Sequence, residues 1–139
     1  MGRHEARRCA LQALYQIDVG RVRPAAAVAH VLAEAEHPKR ERDAEYVRTL
    51  VEGTAAHREA IDELLAKHVQ GWRLDRIAKV DLNVLRLAVY ELMYERDVDV
   101  ATIVDEAVEL AKEFGTEASG RFVNGVLARV LPAATAFRA

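Results

Sequence analysis

Apolar residues recur along this chain with helical spacing, and no segment alternates as a half-buried strand would. The densest stretch is residues 75–95, DRIAKVDLNVLRLAVYELMYE. In it Ile77, Val80, Leu82, Val84, Leu85, Leu87, Ala88, Val89, Leu92 and Met93 are apolar. At roughly 100° per residue they cover most of the helix circumference. One narrow stripe, Arg76, Lys79, Asn83, Arg86, Tyr90 and Tyr94, stays polar or amphipathic. A helix apolar nearly all round must be buried nearly all round. About 20 apolar residues can also cross a membrane, but Asp81, Arg86 and Glu91 inside the stretch exclude that. The pattern predicts the central buried helix of a soluble all-α domain.

Six further helices are predicted around it. In residues 4–19, Ala6, Ala10, Ala13, Leu14 and Ile17 form the inner face, Cys9 sits at its edge as a small hydrophobe, and Gly20 is the stop. The opposite face carries Arg8, Gln12 and Tyr15, with Arg7 and Leu11 beside them. Pro24 suits the first turn of a second helix with Val28, Val31, Leu32 and Ala35 as its stripe. Residues 37–43 read as a loop ending in Asp43 as N-cap. Val47, Leu50 and Val51 begin a third stripe; its phase falters across 53–57 and resumes at Ile61, Leu64 and Leu65 as a fourth. Gly71 closes that helix, and Trp72 is expected to pack where two halves meet.

Residues 95–100 read as an extended connector, and Thr102 with Asp105 as a capping box opening the sixth helix. Val104, Ala107, Val108, Ala111 and Phe114 are its inner face, and Gly115 its end. Ser119 is read as the cap of the seventh, with Val123, Val126, Leu127 and Val130 inside, Pro132 just beyond it and 133–139 as a loose tail. The expectation is one domain of 139 residues, with seven helices in two packed small bundles, about 1–72 and 73–132.

Composition narrows the chemistry. One cysteine excludes an intrachain disulfide and a cysteine metal cluster. The five histidines have no compact ligand spacing, so no metal or cofactor is expected. Asp62 and Glu63 are adjacent on a helix and point apart, and the single serine, Ser119, sits in no nucleophile motif. Gly115 and Gly120 have the glycine spacing of a phosphate-binding loop. Arg121 and Phe122 follow where lysine and a hydroxyl residue are required, and a helix precedes where a strand should. No enzyme is expected. No signal peptide, membrane span or lipidation motif is present, which predicts a cytoplasmic protein.

The net charge of −2 carries no global signal for nucleic acid, but the charge is uneven. Residues 1–23 hold Arg3, Arg7, Arg8, Arg21 and Arg23 against Glu5 and Asp18, whereas 97–117 lean acidic. On the seventh helix Phe122 lies off the centre of the apolar stripe, flanked by Arg121, Gly125 and Arg129. Such a ring either tucks into the core or offers a face on which unpaired bases stack while guanidinium groups hold phosphates. Helical spacing alone allows both.

The blocks ARRCALQALY (6–15), RIAKVDLNVLRLAVYEL (76–92) and DEAVELAKEFGTEASGRFVNGVL (105–127) resemble the NusB family of bacterial transcription antitermination factors. The resemblance spans almost the whole chain, and the last block is highly specific. It implies a non-enzymatic RNA-binding factor. With NusE, a small-ribosomal-subunit protein, it would hold the boxA element of nascent ribosomal RNA. Other Nus factors and RNA polymerase would join indirectly. Arg3, Arg7, Arg8, Gln12 and Tyr15 would then line RNA together with Arg121, Phe122 and Asn124. Asp75, Arg76, Asp81, Asn83 and Arg86 would form the NusE surface. Some members of the family pair as homodimers that cover the RNA surface.

The chain departs from the family pattern at His4 and Glu5, where arginine is frequent, at Asp99, where proline is usual, and at Asp105, where asparagine is common. These bear on RNA affinity more than on fold. Two other readings are a protein-only helical adaptor and a NusB-like accessory domain of a ribosomal RNA methyltransferase.

Overall fold

The apolar stripes become seven α-helices in the computed structural model, which describes residues 2–35, 41–69 and 73–138; among these there is no strand. The helices are α1 (Arg3–Gly20), α2 (Pro24–Glu34), α3 (Glu41–Ala56), α4 (Arg58–His68), α5 (Lys79–Tyr94), α6 (Val100–Phe114) and α7 (Glu117–Thr135). They belong to two compact units, Met1–Ala56 and His57–Ala139. The division therefore falls between Ala56 and His57 and not near residue 72, because α4 packs with α5 and α7. Gly71, Trp72 and residues 37–40 of the expected loop lie outside the described residues.

In the first unit α1 packs on both α2 and α3. Ala6, Ala10 and Ala13 are fully buried, and their small side chains allow close approach. Two partners cover a wider arc than one stripe, so Arg7 and Leu11, expected on the flank, are buried at 3% exposure each. Gly20 is the last helical residue. The left-handed turn that ends α1 falls on Arg21, φ 56°, with Val22 N–H donating to the Gln16 carbonyl. Pro24 does open α2. Asp43 lies in the first turn of α3, which is already helical at Glu41, so it is not the cap.

In the second unit α5 packs against α4, α6 and α7. Every residue from 81 to 93 is buried, the expected polar positions Asn83, Arg86 and Tyr90 included. Burying each large apolar side chain contributes about 1.5–3 kcal/mol, and Leu82, Leu85, Leu87, Leu92 and Met93 are all fully enclosed. The helix begins at Lys79, not Asp75. Leu74–Arg76 is a 3-10 turn, and Ile77 and Ala78 are extended, which lets Ile77 turn inward to 5% exposure.

Three boundary expectations are corrected. The 95–100 connector is a tight turn closed by Val98 N–H to the Glu95 carbonyl, and α6 is capped by Asp99, whose carboxylate accepts from Thr102 N–H. The N-cap of α7 is Thr116; Ser119, three residues inside, reaches back to accept from the Thr116 N–H at 3.0 Å. Pro132 lies within α7, and Ala136–Arg138 continues as a 3-10 turn where a loose tail was expected. Arg138 accounts for that order. Its guanidinium donates to the carbonyls of Leu92, Val98 and Glu91 at 2.7, 2.8 and 2.9 Å, satisfying acceptors at and beyond the end of α5.

Candidate nucleic-acid interface

On α1 the expected RNA residues separate by burial. Arg3 and Gln12 are exposed, and Tyr15 is 39% exposed. The Arg3 guanidinium lies 4.7 Å from the centre of the Tyr46 ring, within range of a cation–π interaction. Arg8 is half-buried and paired with Glu5 at 2.8 Å, one turn away. Arg7 faces the interior and presents no open guanidinium. The free edge of α1 thus consists of Arg3, Gln12 and Tyr15, with Val19 one turn past the tyrosine at 48% exposure.

On α7, positions 121, 124, 125, 128 and 129 share one face by their spacing, and all five are exposed. Phe122 sits at one edge of this face, nearest Gly125 and Arg129 by helical spacing, with Arg121 and Asn124 further round; it is half-buried, neither sealed in the core nor standing free. Gly125 leaves an opening there: a β-carbon at this position would meet no atom within 4 Å. The glycine pair that mimics a phosphate loop has a structural explanation. At Gly115 a β-carbon would lie 2.5 Å from Ser119 Oγ, and at Gly120 2.9 Å from Lys112 Cγ.

The five expected partner residues also divide. Asp75 and Arg76 are exposed on the 3-10 turn, where Asp75 pairs with Arg73 at 2.9 Å. Asp81 is 9% exposed, and its buried Oδ1 has no hydrogen-bond partner among the described residues. Asn83 and Arg86, 1% and 5% exposed, are internal. Arg86 Nε and Nη2 donate to the two oxygens of Asp62 at 2.8 and 3.0 Å, and Asn83 Nδ2 donates to the Lys79 carbonyl. This bidentate pair joins α5 to α4.

Sequence reading missed Tyr46 and Arg138, and it weighed Asp62 only as half of an acid–base pair and not as the partner of Arg86. Tyr46 and Asp62 sit on polar helix faces without a motif, and only the partner across space gives them meaning. A terminal arginine following a helix whose last carbonyls need donors is a weak signal for Arg138. Among the described residues no group of three or more histidine, cysteine or carboxylate side chains could hold a metal ion. No helix there is long and apolar enough to cross a membrane.

Comparison with known proteins agrees with this architecture. A profile of the NusB family matches residues 4–132. The transcription antitermination protein NusB of Geobacillus kaustophilus is 50% identical over 130 residues, covering 94% of this chain and 95% of the relative. A solved NusB structure from T. maritima superposes with a TM-score of 0.84 at 35% identity, covering 95% of this chain and 92% of that one. A crystal structure of antitermination factors NusB and NusE in complex with dsRNA contains a chain matching at a TM-score of 0.86 and 33% identity, covering 94% of this chain and 96% of that one. With its helices, its specific blocks and near full-length matches in agreement, this chain belongs to the NusB family.

Proposed function

We propose that the chain is an RNA-binding transcription antitermination factor that, together with NusE, binds the boxA element of nascent ribosomal RNA and supports processive transcription. The observation that carries this reading is the open face of α7, which carries Arg121, Asn124, Gly125 and Arg129, with the half-buried Phe122 at its edge. A ring at the edge of a face that carries guanidinium groups suits stacking with phosphate neutralisation. Arg3, Gln12 and Tyr15 on α1 supply a second set of contacts, and Arg8 joins them if its pair with Glu5 opens. Arg7, being buried, supports the fold of α1 in this reading. The relatives' antitermination role and the solved NusB–NusE–dsRNA complex support the same function class.

The NusE surface is proposed at the start of α5. Asp75 and Arg76 are open to contact. Asp81 holds a buried oxygen that lacks a donor, and a partner cation or N–H would satisfy it. Asn83 and Arg86 act from behind by fixing the helix. Other Nus factors and RNA polymerase would be reached through the complex, in the cytoplasm. A homodimer covering the RNA face is the competing resting state.

The test is a mobility shift with boxA-containing and scrambled RNA, with and without NusE. Binding should favour boxA and weaken with salt, with a log–log slope of roughly −2 to −3 for about three to four phosphate contacts. Phe122→Ala should cost about 1–3 kcal/mol of RNA binding. A variant that melts far earlier yet binds RNA normally would make Phe122 a core residue. No shift in either condition would leave the protein-only adaptor.

A further inference from the structure

The second unit ends in an aromatic ring that packing does not cover. Phe137 is 50% exposed, the most of any large apolar side chain among the described residues. It is nevertheless fixed. Its ring meets Tyr94 edge-on, with centroids 6.2 Å apart and planes at 61°. The next residue, Arg138, is bound through its guanidinium to the carbonyls of Leu92, Val98 and Glu91. A ring held on one side and wet on the other has little freedom left to lose, so a planar group can stack on its open side at a small entropic cost.

The helix that leads to Phe137 favours an anionic partner. From Ala118 to Arg138 the chain holds Arg121, Arg129 and Arg138 and no aspartate or glutamate, although its net charge is −2. Arg129 is exposed, and among the described residues no carboxylate is in ion-pair range of it. Counting roughly 100° per residue, Gly125, Arg129, Ala133 and Ala136 fall within about 60° of Phe122. Apart from the arginine, no long side chain stands on that edge of α7 between the two phenylalanines. At 1.5 Å per residue the rings are separated by about 22 Å along the helix, a span of several nucleotides of unpaired RNA. Glu95, next to Tyr94, is half-buried and accepts from the Tyr90 hydroxyl at 3.5 Å.

We propose that Phe137 is a second stacking platform for single-stranded RNA, and that nucleotides flanking those bound at Phe122 run along this edge of α7 past Arg129 to reach it. The inference rests on the RNA-binding reading above and extends it to a residue outside the contacts assigned there. Unpaired bases stack on an exposed ring without regard to sequence, while a nearby guanidinium neutralises the backbone. An apolar protein side chain could also cover the ring, but the positive, carboxylate-free helix favours RNA, and the variants below separate the two.

The full chain is titrated, with and without NusE, with a minimal boxA RNA and with the same RNA lengthened by several nucleotides at one end or the other. The added nucleotides carry a fluorescent adenine analogue. One of the two lengthened RNAs should bind more tightly than the minimal one, with quenching of the analogue. Phe137→Ala should bind that RNA about 5- to 150-fold more weakly, the worth of one stacked base, and bind the minimal RNA as the wild type does. Phe137→Leu keeps an apolar contact with Tyr94, so the fold is held, and should lose the gain as well; Phe137→Trp should keep it. A gain that survives in Phe137→Ala, or no gain from either lengthened RNA, overturns the second platform and leaves the RNA-binding reading in place. A gain lost in Phe137→Ala but kept in Phe137→Leu overturns it too, because an aliphatic chain does not stack and the ring then serves packing alone. No binding of any of these RNAs by the wild type removes the RNA-binding reading and this platform together.

Discussion

A β-carbon added at Gly125 would touch nothing within 4 Å, so no internal contact explains why this exposed mid-helix position is glycine. Glycine there sacrifices about 0.8–1 kcal/mol of helix stability relative to alanine. Gly125→Ala should therefore raise the urea midpoint, a gain of about 0.5–1 kcal/mol, and at the same time weaken RNA binding in a mobility shift. A gain in stability with undiminished binding would show that nothing approaches α7 closely at this point. The residue scale was partly legible in the sequence. Phe122 and its arginines stood out because they interrupt an apolar period. The burial of Arg7 did not, because whether the flank of a stripe is covered depends on how many helices lie against it, and α1 has two in its own unit. The left-handed Arg21 was likewise displaced by one residue from the expected glycine.

At the scale of elements, the link between α4 and α5 rests on a charge pair as well as on apolar contact. Arg86 is 6% and Asp62 26% exposed at the side chain, and Arg58 approaches the same carboxylate at 3.7 Å. The two ends of the pair should respond differently. Asp62→Ala leaves a buried guanidinium without its carboxylate and should cost about 3–5 kcal/mol. Arg86→Met leaves a carboxylate that water and Arg58 can still reach, and should cost clearly less. Chemical denaturation of both variants checks the order; equal losses would mean that the arginine stem, not the charge, matters. Helix ends show how local signals compete. Thr102 with Asp105 has capping-box spacing, yet Asp99 caps α6, because the turn that buries Val98 at 5% exposure brings the chain into the helix directly after it, ahead of Thr102. At α7 Ser119 was read as the cap, but Thr116, which carries no signal beyond its hydroxyl, is the N-cap and Ser119 closes the box from three residues inside.

At the scale of the molecule, the second unit is closed by contacts between segments far apart in sequence. Arg138 reaches back to the carbonyls of Glu91, Leu92 and Val98. The rings of His57, Tyr90, Tyr94 and Phe137 cluster beside them, with Tyr94 4.2 Å from His57 and 6.2 Å from Phe137. Burial, aided by Glu95 and Glu91, pushes the Tyr90 hydroxyl from 10.0 up to about 12. Because the folded value lies above the unfolded one, this stabilising contribution is complete below pH 10 and is lost as the pH rises toward 12. Unfolding midpoints measured across that window should fall for the wild type and fall less for Tyr90→Phe. Identical profiles would place the alkaline loss elsewhere. The sequence by itself determined the all-helical class, the number and rough limits of the helices, the buried α5 and the family, because a 3.6-residue period and specific blocks are local properties of the chain. Tertiary structure alone decided that Asn83 and Arg86 turn inward, that α4 joins the second unit, that the C-terminal segment is tied down and that Arg3 meets Tyr46. Each of these depends on what packs against the segment from elsewhere in the chain, and a one-dimensional pattern does not encode which polar side chains will meet.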